Sequence, residues 1–250
     1  MGNIKYIAEA GMRSLIKGEV ETHESLKHIK SPSGFANHLI QTGEIAHQTA
    51  STILRNHPTL SRELDPEVTK LAGWMHDFSK PREGGEYHEV GSAHMALIEG
   101  DGRLELITGG AKGERTEKLI RIAKCLPSDS ALYEELGGNG FPDKALYPKV
   151  LPKFLERIEE LRRKLSPDGR VFSMEEFALP FSLEQQVLIY ADMVNNGEEG
   201  RVSVEERLRE LKERYGDPGS GYYNPILAGL IDITTPRILV VGRTIENLMQ

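Results

Sequence analysis

Apolar residues recur at helical spacing along most of this 250-residue chain, and the pattern predicts helix after helix rather than alternating strands. In residues 4–17, Ile4, Ile7, Ala8, Met12 and Leu15 share one side, and Gly18 closes the segment. The polar stretch 19–34 ends in Ser-Pro-Ser-Gly and reads as a loop. A long helix is expected from about Phe35 to Asn56, where His57-Pro58 stops it. Asp65-Pro66 then supplies an N-cap and a first-turn proline for a helix to about Ser79.

Helices are also expected over 88–99, 114–126 and 150–165, the last with Leu151, Phe154, Leu155, Ile158, Leu161 and Leu165 on one face. Ser182-x-x-Gln185 and Ser203-x-x-Glu206 read as capping boxes opening helices to about Asn195 and over 204–215. The Gly-, Pro- and Tyr-rich stretch 127–149 has no period and reads as an insertion or substrate lid. Near the end, Pro236-Arg-Ile-Leu-Val-Val-Gly242 reads either as a short strand or as the start of a last helix. With no internal repeat or linker, the expectation is a single all-α domain over residues 1–250, with 196–250 as a helical extension.

Composition narrows the class. Hydrophobic residues are 38% and charged ones 28% of the chain, as in an ordered globular protein. The net charge of −7 argues against a long nucleic-acid partner, which calls for a basic groove. A small anion held in a local basic pocket remains compatible. The lone Cys125 excludes an intrachain disulfide. No stretch resembles a signal peptide or a membrane span, so a soluble cytoplasmic protein is expected.

The candidate chemistry lies at His76-Asp77, embedded in Leu71-Ala-Gly-Trp-Met-His-Asp-Phe-Ser-Lys80. A carboxylate among apolar neighbours needs a compensating partner, and a divalent cation is one. His38 shares a helical face with Thr42, Ile45, Thr49 and Ile53, whereas His47 points the opposite way, toward water. Asp192 is flanked by apolar residues in Gln186-Val-Leu-Ile-Tyr-Ala-Asp-Met-Val194. Taken singly, each is compatible with a hydrogen-bonded core histidine or a paired carboxylate. Together they suggest one cation held by two imidazoles and two carboxylates, a donor set suited to Mn, Fe, Co, Ni or Zn.

The segments His38-Leu-Ile-Gln-Thr-Gly-Glu-Ile-Ala46, Leu71–Lys80 and Tyr190-Ala-Asp-Met-Val194 resemble, in order and spacing, the HD-domain superfamily of metal-dependent phosphohydrolases. The likeness covers roughly residues 35–195. It implies a helical HD-type fold with His38, His76, Asp77 and Asp192 as metal ligands. His88, in His88-Glu-Val-Gly91, matches a further position, which in two-metal relatives joins a second cation. The histidine that would help it is missing from Ile120–Leu126, and His94 would point about 120° away from His88. One cation is therefore expected, with a complete two-metal site unsupported though a second ion stays compatible, and His88 is left as a general acid, a phosphate contact or a surface residue near a helix start.

What the resemblance implies is a metal-activated water attacking a nucleotide or another small phosphate ester, with Asp77 and His88 in catalytic roles. Lys80, Arg82, Lys112 and Arg115 are the candidate phosphate contacts, Lys80 first among them because it lies one turn after His76-Asp77, whereas Arg82, Lys112 and Arg115 read more readily as solvated surface charge. Gly109-Gly-Ala-Lys-Gly-Glu-Arg-Thr116 fails the spacing of a phosphate loop. The competing class is an HD-fold module that binds a nucleotide without turning it over. An oxygenase on the same fold would need a fuller ligand set than this chain carries.

Overall fold

The computed structural model describes residues 32–80, 182–197 and 200–250, together with Gly11, Ser14, Ser92 and Arg121. These form five α-helices, one 3-10 helix and no sheet. Apart from those four residues, the helices expected over 4–17, 88–99, 114–126 and 150–165, and the irregular stretch 127–149, lie outside the described residues.

Helix α1 spans Pro32–Asn56, starting slightly before the apolar periodicity because Pro32 supplies the preset φ of a first turn. It turns Leu39, Thr42, Ile45, Ala46, Thr49, Ala50 and Ile53 inward, the face marked out by the helical wheel. The 3-10 helix Pro58–Arg62 follows. Asp65 then caps α2, Pro66–Met75, by accepting from Glu67 N–H at 2.9 Å. Every residue from Val68 to Met75 is buried. The helix ends before Ser79: the chain tightens into turns in which Phe78 N–H donates to the Met75 carbonyl and Lys80 N–H to that of Asp77.

Helix α3, Leu183–Val194, and helix α4, Val204–Gly216, both open on complete capping boxes, at Ser182/Gln185 and Ser203/Glu206. Between them Gly197 and Gly200 have positive φ, and Asn195 forms an isolated bridge with Arg201. Helix α5, Pro225–Met249, runs through Pro236 without a break, so the strand reading of 236–242 is overturned. An interior proline costs about 3 kcal/mol. Here that is offset by Val241 and Ile245, which are buried, and Ile238 and Leu239, which pack against the same cluster. Local propensity gives way to tertiary burial.

The apolar core gathers the C-terminal half of α1 with α3, α4 and α5, around Ala50, Ile53, Leu64, Val187, Ala191, Val204 and Ile245. Arg121 pairs with Glu184, whose carboxylate also accepts from Asp65 N–H at 3.0 Å. The start of α2 is thereby tied to the start of α3. Among the described residues, no helix is long and apolar enough to cross a membrane.

Candidate metal centre

The site begins with two glycines. A Cβ on Gly73 of α2 would lie 2.6 Å from the Gly43 Cα of α1, and one on Gly43 would lie 2.2 Å from Trp74 Cδ1. Only hydrogen fits at either position. Each glycine costs its helix about 1 kcal/mol relative to alanine, and in return the two backbones approach without intervening side chains. The close crossing is reinforced by Lys70, whose ammonium lies 3.2 Å from Glu44 and over the Trp74 ring.

At the end of this crossing the Nε2 atoms of His38 and His76 face each other at 3.3 Å. Asp192, from the last turn of α3, places Oδ1 3.1 Å from His38 Nε2 and 3.3 Å from His76 Nε2. Atoms bound ~2.0–2.2 Å from one first-row cation lie roughly 3.0–3.5 Å from each other, so the triangle has the dimensions of three ligands on one ion. Among the described residues, His38, His76 and Asp192 are the group that could hold a metal.

The ring of His76 is already oriented. Its Nδ1 lies 2.7 Å from the Gly73 carbonyl, one of the carbonyls that the end of α2 leaves without an amide partner. Nδ1–H donates there, so Nε2, once it gives up its proton, directs its lone pair at the triangle, the usual outer support of a ligand histidine. The structure thus fits a cation at three positions on donor type, spacing and, for His76, tautomer.

Asp77 stands beside this triangle. Its Oδ2 is 2.6 Å from Lys80 Nζ and 3.8 Å from His76 Nε2. The fourth expected ligand is therefore paired with the first expected phosphate contact. His88, Arg82, Lys112 and Arg115 lie outside the described residues. Ser92, just beyond His88-Glu-Val-Gly91, is buried and its hydroxyl accepts from Ser79 N–H at 3.0 Å. His47 is half-buried and pairs with Glu67 at 3.1 Å, so it serves the α1–α2 contact rather than only solvent.

The charges are mutually adjusted. Burial opposes a proton on His76, but the Asp77 and Asp192 carboxylates and the Gly73 carbonyl outweigh it and hold its pKa at about 9. Burial likewise opposes a charged Asp192, and the two histidines overcome this, keeping its carboxyl well below the usual range. Lys80 loses hydration too, yet Asp77 draws its pKa above the ordinary lysine value. Among the described residues, two carboxylates face one imidazolium and one ammonium, and a divalent cation would enter by displacing the His76 proton.

Sequence reasoning overlooked Asn195. It is buried three residues after Asp192, with Nδ2 2.8 Å from Thr42 Oγ1 and 3.2 Å from His38 Nδ1. The signal was its position one turn beyond Asp192, on the same side of α3. No family model, curated protein or solved structure matches the chain.

Proposed function

We propose that the protein is a metal-dependent phosphohydrolase acting on a nucleotide or another small phosphate ester. The observation that carries this reading is the triangle of His38 Nε2, His76 Nε2 and Asp192 Oδ1, with edges of 3.1–3.3 Å. A divalent transition metal bound there would lower the pKa of a water and polarise a phosphoryl oxygen. The chain's own part is to bring three donors from three different segments within 3.3 Å of one another before the ion arrives. Lys80, partly exposed beside Asp77, has an ammonium that can turn toward a phosphate oxygen. The resemblance to HD-domain phosphohydrolases supplies the substrate class.

A second reading draws on the Asp77–Lys80 pair. Because that pair helps balance charge without any ion, the site also suits a module that binds a phosphate compound without hydrolysing it. Elemental analysis of tag-free protein separates the two, with His76→Ala and Asp192→Ala prepared alongside. About one transition metal per chain, lost in either variant, together with metal-dependent phosphate release from a panel of nucleotides and esters, is the expected result. Failure to take up Mn²⁺, Co²⁺, Ni²⁺ or Zn²⁺ would overturn the enzyme reading.

A further inference from the structure

We infer that Asn195 is a positioning residue that sets the tautomer of His38 from the ring nitrogen opposite the metal-facing one. The end of α3 grips this imidazole at both nitrogens: Asp192 Oδ1 lies 3.1 Å from Nε2, and Asn195 Nδ2 lies 3.2 Å from Nδ1. The bearing of this grip on metal uptake rests on the reading of the site given above.

The amide of Asn195 has a definite sense. Its Oδ1 accepts from Gly197 N–H at 3.0 Å, in the turn that Gly197 makes with φ of 62°. Its two Nδ2 hydrogens face Thr42 Oγ1 at 2.8 Å and the His38 carbonyl at 3.0 Å, and Nδ2 also lies 3.2 Å from His38 Nδ1. Turning the amide over would set Oδ1 against the His38 carbonyl and Nδ2 against the Gly197 N–H. Both are repulsive contacts in a site where Asn195 is 2% exposed.

An amino group has no lone pair to receive an Nδ1–H and so favours Nδ1 as an acceptor, which in neutral His38 places the proton on Nε2, donating to Asp192. A metal ligand needs the reverse, with the Nε2 lone pair free and the proton on Nδ1. His76 is pre-set for a cation by the Gly73 carbonyl, whereas His38 is set against it by Asn195. Uptake of an ion therefore moves the His38 proton from Nε2 to Nδ1, by exchange with water and with no net change on the ring. The Asn195 amide must turn, giving up the Gly197 bond. Asn195 thus favours the ion-free state, and its cost falls on metal affinity.

The test uses the full metal-free chain. Nitrogen-15 NMR of the histidine rings reads the tautomer directly, and calorimetric titration with Zn²⁺ reads affinity. Wild-type His38 is expected with the proton on Nε2. In Asn195→Asp a carboxylate oxygen accepts from Nδ1–H, so the proton is expected on Nδ1, with Zn²⁺ bound about tenfold more tightly. Should that variant fail to fold, Asn195→Ala is expected to weaken the Nε2–H preference. A wild-type His38 protonated on Nδ1, or a tautomer indifferent to position 195, would overturn the inference. A tautomer that follows position 195 in a chain that takes up no Zn²⁺ would leave the inference standing and remove the metal reading alone.

Discussion

The two halves of α1 are packed by opposite chemistries. Beyond Ile45 the helix meets α3, α4 and α5 through Ala46, Ala50 and Ile53, each fully buried against aliphatic side chains. Before Ile45 the same helix presents His38, Thr42 and Gly43 to His76, Asp192 and Asn195. The apolar half gains stability from every buried methylene. The polar half buries groups that are costly to desolvate and regains that cost only through close pairing. One helix thus carries the anchor of the fold at one end and its candidate chemistry at the other.

The largest expected effect comes from cutting the anchor. Ile53→Ala should lower unfolding free energy in urea by about 3–4 kcal/mol while leaving metal occupancy per folded chain unchanged. Lost occupancy in the folded variant would show that the two halves are not separable.

Next is the pH dependence of the polar half. His76 rises from an ordinary 6.5 to about 9 on folding, so its paired charge stabilises the metal-free protein fully below about pH 6.5. That contribution fades as pH climbs through about 9, by about 3 kcal/mol in all. Melting temperature of metal-stripped protein should fall across this window, and His76→Gln should flatten the profile. Metal affinity should run the other way and strengthen with pH, because the cation competes with the His76 proton. A stripped protein that grows more stable over the same range would refute the charge assignment.

The smallest effect sharpens the role of Asp77. In Lys80→Met the carboxylate loses its 2.6 Å partner, and that pairing no longer competes with an ion. Calorimetry should then show affinity rising about tenfold, or about 1.4 kcal/mol. Weaker or unchanged affinity would remove Asp77 from the ligand set.

Much of the local architecture was legible because its causes are local. The boxes at Ser182 and Ser203 and the cap at Asp65 each involve residues within one turn, and all three form as their sequences indicate. The buried face of α1 followed from periodicity alone. Pro236 was misread because its cost is local while its compensation, contact with α1, α3 and α4, is not. His38, His76 and Asp192 were recognisable as three unusual polar residues in apolar helices. Their meeting at one point depends on Gly43 and Gly73, which carry no chemical signature of their own. Asp77 and Lys80 were both noticed, but the bond between them competes with the separate roles expected of each. Asn195 had no motif to mark it, since its orientation is fixed by a turn and by a neighbouring helix.

The Gly73 carbonyl has a further consequence. It is backbone, so no side-chain replacement elsewhere deletes it, yet it is offered to His76 only because α2 terminates there. Were the helix to elongate by another turn, the amide of residue 77 would claim that oxygen and the imidazole would be released to spin. The length of one helix is therefore a control on ligand readiness. A segment that adds or removes a turn after Met75 would tune the centre without altering any of its donors.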